Sequence, residues 1–341
     1  MRALAFLLLS SAALAQSGQP HVTNAQFENR PFSGDLAADI RSSSPAWFGY
    51  AIKTIAGDNE SCCWNNDRAC ECRLEEGNDV TIRSGGKTPV PLESSLTDAV
   101  LFRVNGSGVE KIRVFSLACP LDAGGRSFIW LTGVPAGASL AWLDKLVVPK
   151  ASDHVVDGAI FAIAQHDDPQ ADTILERYTR PDQPERVREK TTFWLGASRG
   201  ARGVEILHSL LDHDSSEQVR DKAIFGLSIS RQPEALEIMI RAARDDASAH
   251  VRGQAIFWLG QKAGKRAAAT ITNAIENDPD TDVKKRAVFA LSQLPKDEGI
   301  PKLIEVARNQ RNPEVRKQAF FWLGQSGDPR ALAFIEQVLT H

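Results

Sequence analysis

The chain has 341 residues, of which 43% are hydrophobic and 24% are charged. These fractions are typical of a globular protein and exclude a largely disordered one. Forty basic and forty-three acidic side chains give a net charge of −3, so no strongly basic field favours nucleic acid or an anionic membrane as a partner.

The first fifteen residues have the pattern of a secretory signal peptide. Arg2 precedes a short apolar run, and the small residues Ala13 and Ala15 occupy the −3 and −1 positions before Gln16. The apolar run is well short of the roughly 20 residues that cross a bilayer, so it does not indicate a membrane anchor. We therefore predict an exported protein, periplasmic or secreted, that begins near Gln16 and does not span a membrane.

Residues 16–43 show no clear periodicity, and we predict an irregular lead-in there. From residue 44 to 136, short β-prone runs alternate with segments rich in Gly and Ser. The runs Ala99–Val104 and Lys111–Phe115 flank Asn105-Gly106, which is a strong hairpin signal. The sequence therefore predicts a small antiparallel β domain over residues 44–136.

All five cysteines of the chain lie within this predicted β domain. In an oxidising compartment such a cluster favours disulfides, and the candidates are Cys62, Cys63, Cys72 and Cys119. Cys70 is expected to stay unpaired because Cys72 lies only two residues away, and the sequence does not choose among the three connectivities of the other four. A zinc site at residues 62–72 is the alternative, but the spacing is not that of paired C-x2-C knuckles and no His is near.

From residue 137 onward the chain repeats itself every 32 residues. Two apolar ladders run in the same register, one formed by Val155, Val187, Val219, Val251, Val283 and Val315 and one by Leu143, Leu175, Leu207, Met239, Ile271, Leu303 and Ile335. A period of this length is typical of a solenoid, and within each unit the apolar residues recur at helical spacing. We predict helix pairs over 137–166, 169–197, 200–229, 232–261, 266–293 and 298–325, and a single last helix at 328–340.

This part of the chain resembles HEAT repeats, in particular the short bacterial type that also occurs in bilin lyases. The resemblance rests on Val-Arg at the head of the second helix and Leu-Gly near its end, as in Val187-Arg188 with Leu195-Gly196, Val251-Arg252 with Leu259-Gly260, and Val315-Arg316 with Leu323-Gly324. It implies an α+β protein, mainly α, in which a right-handed α-solenoid follows the β domain. HEAT repeats serve mostly as binding scaffolds, so the resemblance implies a protein or peptide partner and identifies no reaction.

Three further stretches extend the resemblance over nearly the whole chain. Cys62-Cys63-Trp64, Leu121–Gly125 and Trp130–Val134, followed by the repeats, are similar to a group of exported bacterial HEAT-repeat proteins. That group has no assigned activity, so this match adds no chemistry.

A 64-residue period lies over the 32-residue one. Phe-Trp-Leu-Gly occurs at 193–196, 257–260 and 321–324, and Phe-Gly-Leu-Ser and Phe-Ala-Leu-Ser occur in the units between. We predict that large and small residues of neighbouring units interlock, with Trp194, Trp258 and Trp322 facing the core and ligand stacking as the alternative. Each unit also carries one phenylalanine at the same position; these are Phe161, Phe193, Phe225, Phe257, Phe289 and Phe321. We predict that these phenylalanines pack between repeats, and an exposed aromatic groove is the alternative.

The residue at the third position of each second helix is predicted to lie on the surface, and its charge changes along the array. The early units carry Asp157, Glu189 and Asp221, and the late units carry Lys285 and Lys317. We interpret these five residues as a candidate binding surface, with a solvated face as the alternative. The second position of these helices is basic; the residues there are Arg188, Arg220, Arg252, Lys284 and Arg316. We expect them to tie successive units together beside carboxylates such as Asp182, Glu185 and Asp282. A phosphate-binding row is the alternative.

Four common catalytic and nucleotide-binding motifs are absent from the sequence: G-x-S-x-G, H-E-x-x-H, the Walker loop and G-x-G-x-x-G. Deoxyhypusine hydroxylase resembles this architecture and holds two irons on His-Glu dipeptides, but no His here is followed by Glu. His208, Asp212 and His213 are close enough on one predicted helix to bind a metal, although a solvated helix end is the preferred interpretation. We therefore predict no catalytic residue, no cofactor and no metal.

Two functions follow from these observations. The favoured one is a non-enzymatic, extracytoplasmic protein-interaction scaffold that binds through the repeat surface. The alternative is a HEAT-repeat enzyme, or a redox or metal module, with its chemistry in the Cys62–Cys72 cluster.

Overall fold

The computed structural model describes residues 18–55, 59–65, 68–76, 81–84, 96–106, 108–262 and 264–340. The predicted signal peptide, residues 1–15, lies outside these ranges. The chain divides after Ala138 into two compact units, one rich in strands and one helical.

The first unit is built on a mixed sheet. It contains β1 (Val22–Pro31), β2 (Ser42–Lys53), β5 (Cys72–Arg73), β7 (Thr97–Gly106), β8 (Gly108–Ser116) and β9 (Leu121–Thr132). The order is β1-β9-β2-β7-β8, with β5 also paired to β9. Strands β3 (Asn59–Asn65), β4 (Arg68–Cys70) and β6 (Thr81–Ser84) form a second sheet in the order β4-β3-β6, and a short helix α1 (Leu36–Asp39) joins β1 to β2.

Two predictions for this unit are wrong. The segment 16–43 is not irregular, because it contains the ten-residue strand β1. The sheet is not purely antiparallel, because β9 runs parallel to β1, β2 and β5; β2–β7 and the hairpin β7–β8 are antiparallel. β1 is an edge strand with no fully buried side chain, and Phe27, stacked 5.6 Å from Phe128, is half-exposed, so the period-2 pattern that identifies a strand is missing.

Two disulfides cross-link the strand-rich unit. Cys62 is bonded to Cys119 and Cys63 to Cys72, with Cα–Cα distances of 5.7 and 5.2 Å. Cys62, Cys72 and Cys119 are buried in the same apolar cluster. These are the four cysteines that the sequence predicts to pair, and the side chain of Cys70 lies outside the described part of the structure.

The helical unit consists of paired helices, as the 32-residue period predicts. The helices are α2 (Ala136–Leu146), α3 (Asp153–Gln165), α4 (Pro169–Tyr178), α5 (Glu185–Ser198), α6 (Gly200–His213), α7 (Glu217–Ile229), α8 (Glu234–Asp245), α9 (Ala249–Lys262), α10 (Ala268–Asn277), α11 (Thr281–Ser292), α12 (Lys296–Asn309), α13 (Pro313–Gln325) and α14 (Pro329–Thr340). Polar caps fix where several of the odd-numbered second helices begin. Ser216, Asp280 and Asn312 each accept hydrogen bonds from backbone N–H groups in the first turn, which have no partner within the helix.

Arginines at the second position tie α5, α7 and α9 to the next unit, as predicted. Lys284 instead donates to the backbone oxygen of Glu276, and Arg316 is exposed. Arg252 Nε lies 2.8 Å from Asp278, and its Nη1 also donates to the backbone oxygen of Asp246. The same contact between residues 26 apart joins Arg188 to Asp214 and Arg220 to Asp246. The carboxylates are therefore those that follow the first helix of the next unit, and not Asp182, Glu185 or Asp282. These three guanidinium groups are engaged within the stack, so they are not available for a phosphate-binding row.

Successive second helices meet in two alternating ways. We call α5–α7 and α9–α11 glycine interfaces. A Cβ atom added to Gly196 would lie 2.0 Å from the backbone oxygen of Gly226, and one added to Gly260 would lie 2.9 Å from the Cβ of Ala290. We call α3–α5, α7–α9 and α11–α13 tryptophan interfaces. In each of them a tryptophan of the later helix contacts a phenylalanine of the earlier helix. The 64-residue sequence period is thus an alternation of interface types.

The glycine interface predicts an unusual response to Gly→Ala substitution. Alanine favours an isolated helix by up to about 1 kcal/mol over glycine. At position 196, however, its methyl group would overlap the backbone of α7, and we expect G196A to lower the free energy of unfolding by about 1–3 kcal/mol. G324A, in the equivalent position of α13 with no atom within 4 Å of the added Cβ, is the matched control and should be neutral or stabilising. Equal effects in denaturant unfolding followed by helical circular dichroism would contradict this packing.

A buried carboxyl predicts a pH dependence of the strand-rich unit. Asp98 in β7 is 5% exposed, and burial raises the pKa of its carboxyl to about 7. A raised folded-state pKa stabilises the fold below the unfolded value, near 3.9, and this stabilisation is lost as the pH rises through 7. An asparagine side chain in its place is neutral at every pH, so D98N should gain stability relative to the native chain by roughly 3 kcal/mol more at pH 8 than at pH 5. The measurement is urea unfolding of the two proteins at both pH values. If the difference in unfolding free energy between D98N and the native chain is the same at pH 5 and pH 8, Asp98 is ionised in the fold.

Candidate interaction surface on the second helices

One side of the second helices from α5 to α13 is at least partly accessible. Counting the valine of Val-Arg as the first position, positions 1, 5 and 9 are buried in all six helices from α3 to α13. Positions 3, 4, 7, 8 and 11 lie within an arc of about 140° on the other side, at 100° per residue. In α5 these are Glu189, Lys190, Phe193, Trp194 and Ala197, all of them partly exposed.

The aromatic side chains at positions 7 and 8 form a continuous series of ring contacts. We call this series the aromatic ladder; it comprises Phe161, Phe193, Trp194, Phe225, Phe257, Trp258, Phe289, Phe321 and Trp322. Within a helix, neighbouring Phe and Trp rings meet edge to face, with centroids 4.6 to 4.9 Å apart. Across tryptophan interfaces Phe and Trp centroids are 4.1 to 5.1 Å apart, and across glycine interfaces stacked Phe rings are 6.0 and 5.9 Å apart.

The ladder rings contact one another between repeats and also reach the surface. Phe161 is 9% exposed and Phe321 is 52% exposed, while the other rings are half-buried. The two interpretations of the phenylalanines, packing between repeats and an accessible aromatic groove, therefore describe the same side chains. The ladder is one strip that the stack itself holds in place.

The tryptophans pack between repeats, as predicted, but they are not buried in the core. Position 8 lies at the border between the buried and the accessible sides of the helix. Gly226 and Ala290 are small enough to be buried there, whereas Trp194, Trp258 and Trp322 are only half-buried and pack on a phenylalanine of the preceding unit. Angular counting places the Cβ atom, but it does not decide where a large ring finds room.

A charged row lies one helical turn before the ladder. It consists of the five predicted surface residues, Asp157, Glu189, Asp221, Lys285 and Lys317, all at least partly exposed. The acidic end is partly compensated, since Asp157 accepts a hydrogen bond of 2.6 Å from Lys190 of the next unit. The basic end is more open: Lys285 donates to Asp282 on its own helix, and Lys317 is exposed. The row therefore changes sign along the stack, between Asp221 and Lys285.

The histidines singled out in the sequence do not converge on a metal position. His208 lies beside a cavity of about 430 Å³, with its Nε2 2.8 Å from Arg241 Nη2 and 3.3 Å from Asp212. His213 directs Nδ1 to the backbone oxygen of Ser209, 2.8 Å away. Within the described ranges there is no group of three or more His, Cys, Asp or Glu side chains arranged to hold a metal ion.

The cysteine cluster presents no thiol at the described positions. All four described cysteine side chains are in disulfides, and three of them are buried. The described part of this unit also contains a polar cluster that sequence reasoning missed. Glu75 accepts hydrogen bonds from Trp47 Nε1 at 2.7 Å and Arg103 Nε at 2.6 Å; burial alone would raise the pKa of Glu75, but these bonds hold it below its ordinary value. No local motif signals this cluster, because 28 residues separate Glu75 from each partner.

Across the described parts of the chain, no helix combines the length and the apolar character that crossing a bilayer requires.

Comparison with known proteins places the repeats in a family. A family model described as HEAT repeats matches residues 171–260 and 268–341. A search of curated proteins found no match to this chain.

Among solved structures, human deoxyhypusine hydroxylase in complex with glycerol is 20% identical, with 58% of this chain and 88% of that chain covered and a TM-score of 0.30. The complex of CpcE and CpcF of phycocyanin lyase from Nostoc sp. PCC7120 is 22% identical, with coverage of 46% and 99% and a TM-score of 0.35. Yeast importin-β is 16% identical, with coverage of 62% and 34% and a TM-score of 0.39. None of these likenesses brings a function to this chain. The helical unit, from the family match and its paired helices, is an array of HEAT repeats.

Proposed function

We propose that this protein is an extracytoplasmic scaffold that binds a polypeptide partner along the accessible side of its second helices. The observation that carries the proposal is the aromatic ladder, which runs without interruption from α3 to α13 beside a charged row of changing sign. Solenoids of this kind present long surfaces suited to extended partners.

The ladder has the physical properties of a binding surface. All of its rings except Phe161 are at least partly exposed, so a partner covering them would remove further apolar area from water, at about 25 cal/mol per Å². Because each ring already packs on its neighbours, little side-chain entropy remains to be lost on binding. Trp and aromatic residues are also enriched at the energetic centres of protein interfaces.

The charged row specifies the direction of the partner. Complementary charges orient a bound chain and accelerate its association. Acidic residues on α3, α5 and α7 favour the basic part of a partner, and lysines on α11 and α13 favour an acidic part. The acidic half of the row also argues against a nucleic acid.

Export is supported by the cysteines and by the N-terminal pattern. Buried disulfides persist in oxidising compartments and are rare in the cytosol. The charged start, apolar run and small residues before Gln16 are those of a cleaved signal peptide.

The scaffold proposal predicts selective loss of peptide binding on charge reversal. A phage-displayed library of 20-residue peptides, selected on the full chain, should enrich sequences that are basic in one half and acidic in the other. The pair E189K and K317E should weaken binding of the selected peptides at least about tenfold, because two complementary contacts become repulsive. The control pair E237K and R311E changes an exposed residue within α8 and an exposed residue that follows α12. It has the same net charge change and should alter the dissociation constant less than about twofold. Equal losses in both pairs would place binding elsewhere.

Export predicts a defined mature N-terminus. The full chain, expressed in a bacterium that is then fractionated, should occur outside the cytoplasm with Gln16 as its first residue by mass spectrometry, and with no free thiol on Cys62, Cys63, Cys72 or Cys119. Recovery of the uncleaved chain from the cytoplasm would contradict the localisation without affecting the binding surface.

A further inference from the structure

The three tryptophan interfaces differ in what lies at the end of the preceding second helix. The last carbonyl groups of a helix have no partner within it, and they carry the negative end of the helix dipole. At α3–α5 a cation satisfies them: Arg199 Nη1 donates to the backbone oxygens of Ala164, at 3.2 Å, and His166, at 2.7 Å.

At α7–α9 a different cation does the same. Lys262, in the last turn of α9, donates from Nζ to the backbone oxygens of Leu227 and Ser230. The ammonium group is thus held at the end of α7, beside the interface formed by Phe225 and Trp258.

At α11–α13 the corresponding position holds a cavity. The residue 64 positions after Lys262 is Ser326, whose side chain is too short to carry a cation to α11. A cavity of about 260 Å³ lies there, and its walls include Leu291, Leu294, Trp322 and Ser326. These four are the equivalents of Leu227, Ser230, Trp258 and Lys262, in the same order.

The carbonyl groups at the end of α11 face this region. A Cβ atom added to Gly299, another residue of the cavity wall, would lie 2.5 Å from the backbone oxygen of Leu291 and 3.5 Å from that of Leu294. The last turn of α11 contains no basic residue. The oxygen of Leu291 accepts a hydrogen bond from the backbone N–H of Leu294 at 3.2 Å, just as the oxygen of Leu227 accepts one from Ser230 in addition to that from Lys262. The acceptors that bind Lys262 in one interface therefore have no cation in the other.

We propose that the cavity at α11–α13 binds a primary ammonium group on an alkyl chain, the chemistry of a lysine side chain. The ammonium takes the position of Lys262 Nζ, and the alkyl chain lies along the apolar wall. Trp322 adds an aromatic ring to the wall, which favours a cation. Lys296 is the one titratable residue of the wall, and it is exposed, so water screens its charge. The proposal goes beyond the scaffold function and does not rest on it.

The test uses n-butylammonium as the probe and n-butanol as an uncharged probe of the same shape. The full chain should bind n-butylammonium at one saturable site and should bind n-butanol at least about tenfold more weakly. Binding is measured by calorimetry and by the change in the indole N–H resonance of Trp322. Equal binding of the two probes, or no saturable binding of the amine, would overturn the proposal.

Exchange of residues between the two interfaces provides the decisive variants. S326K gives the chain its own cation at α11–α13 and should abolish amine binding there, while S326A should retain it. K262S removes the cation at α7–α9 and should create a second site, so that the stoichiometry rises from one to two. S326M fills the cavity without a charge and should also abolish binding. Unchanged amine binding in both S326K and S326M would refute the assignment.

Nα-acetyl-lysine N-methylamide distinguishes the source of the ammonium group. Binding of this compound, with its norleucine analogue at least about tenfold weaker, assigns the site to a lysine of a polypeptide. Binding of n-butylammonium alone assigns it to a free amine. The charge-reversal pair E189K and K317E lies outside the cavity wall and should leave both results unchanged, which separates this site from the ladder.

Discussion

The close approach of α5 to α7, where Gly196 meets Gly226, determines how the repeats present their surface. With no side chain between them, the two backbones come close enough for Phe193 and Phe225 to stack one turn away. A larger residue at either glycine would separate these rings. The aromatic ladder is therefore a consequence of the glycine interfaces, since rings that line up only at a short helix separation would not touch at a longer one.

Several second helices are also held at their starts or at their ends. At the start, arginines such as Arg220 and Arg252 reach carboxylates of the next unit. At the end, Arg199 and Lys262 bind the terminal carbonyl groups of the preceding second helix. In α7, polar contacts thus anchor both ends, and apolar contacts hold the middle. Position 7 lies in the middle and is at least partly accessible from α5 to α13, so the surface available to a partner includes a well-supported part of these helices.

The sequence predicts those features of the structure that depend on residues close together in the chain or on a repeated pattern, and it misses those that depend on distant contacts. The helix pairs are predicted closely because a 32-residue period shows each helical pattern several times. β1 is missed because an exposed edge strand has no buried face to create alternation. The cysteines that pair are predictable from compartment and spacing, but the pairing itself is not, because Cys62 meets Cys119 only after β3 and β9 are placed by the sheets. The ladder is predicted as a list of residues, while its accessibility depends on ring size at position 8.

The 64-residue period explains how neighbouring interfaces can differ without disturbing the stack. In a solenoid each unit contacts only its neighbours, so a change at one interface is not transmitted to the others. The glycine interfaces tolerate little change, because backbone lies against backbone at Gly196 and Gly226. The tryptophan interfaces carry their contacts on side chains, and the chain itself shows their tolerance: the end of α3 is bound by Arg199, that of α7 by Lys262, and that of α11 by neither. Alternation therefore separates the two demands on a binding array, since one class of interface fixes the spacing and the other is free to vary in chemistry.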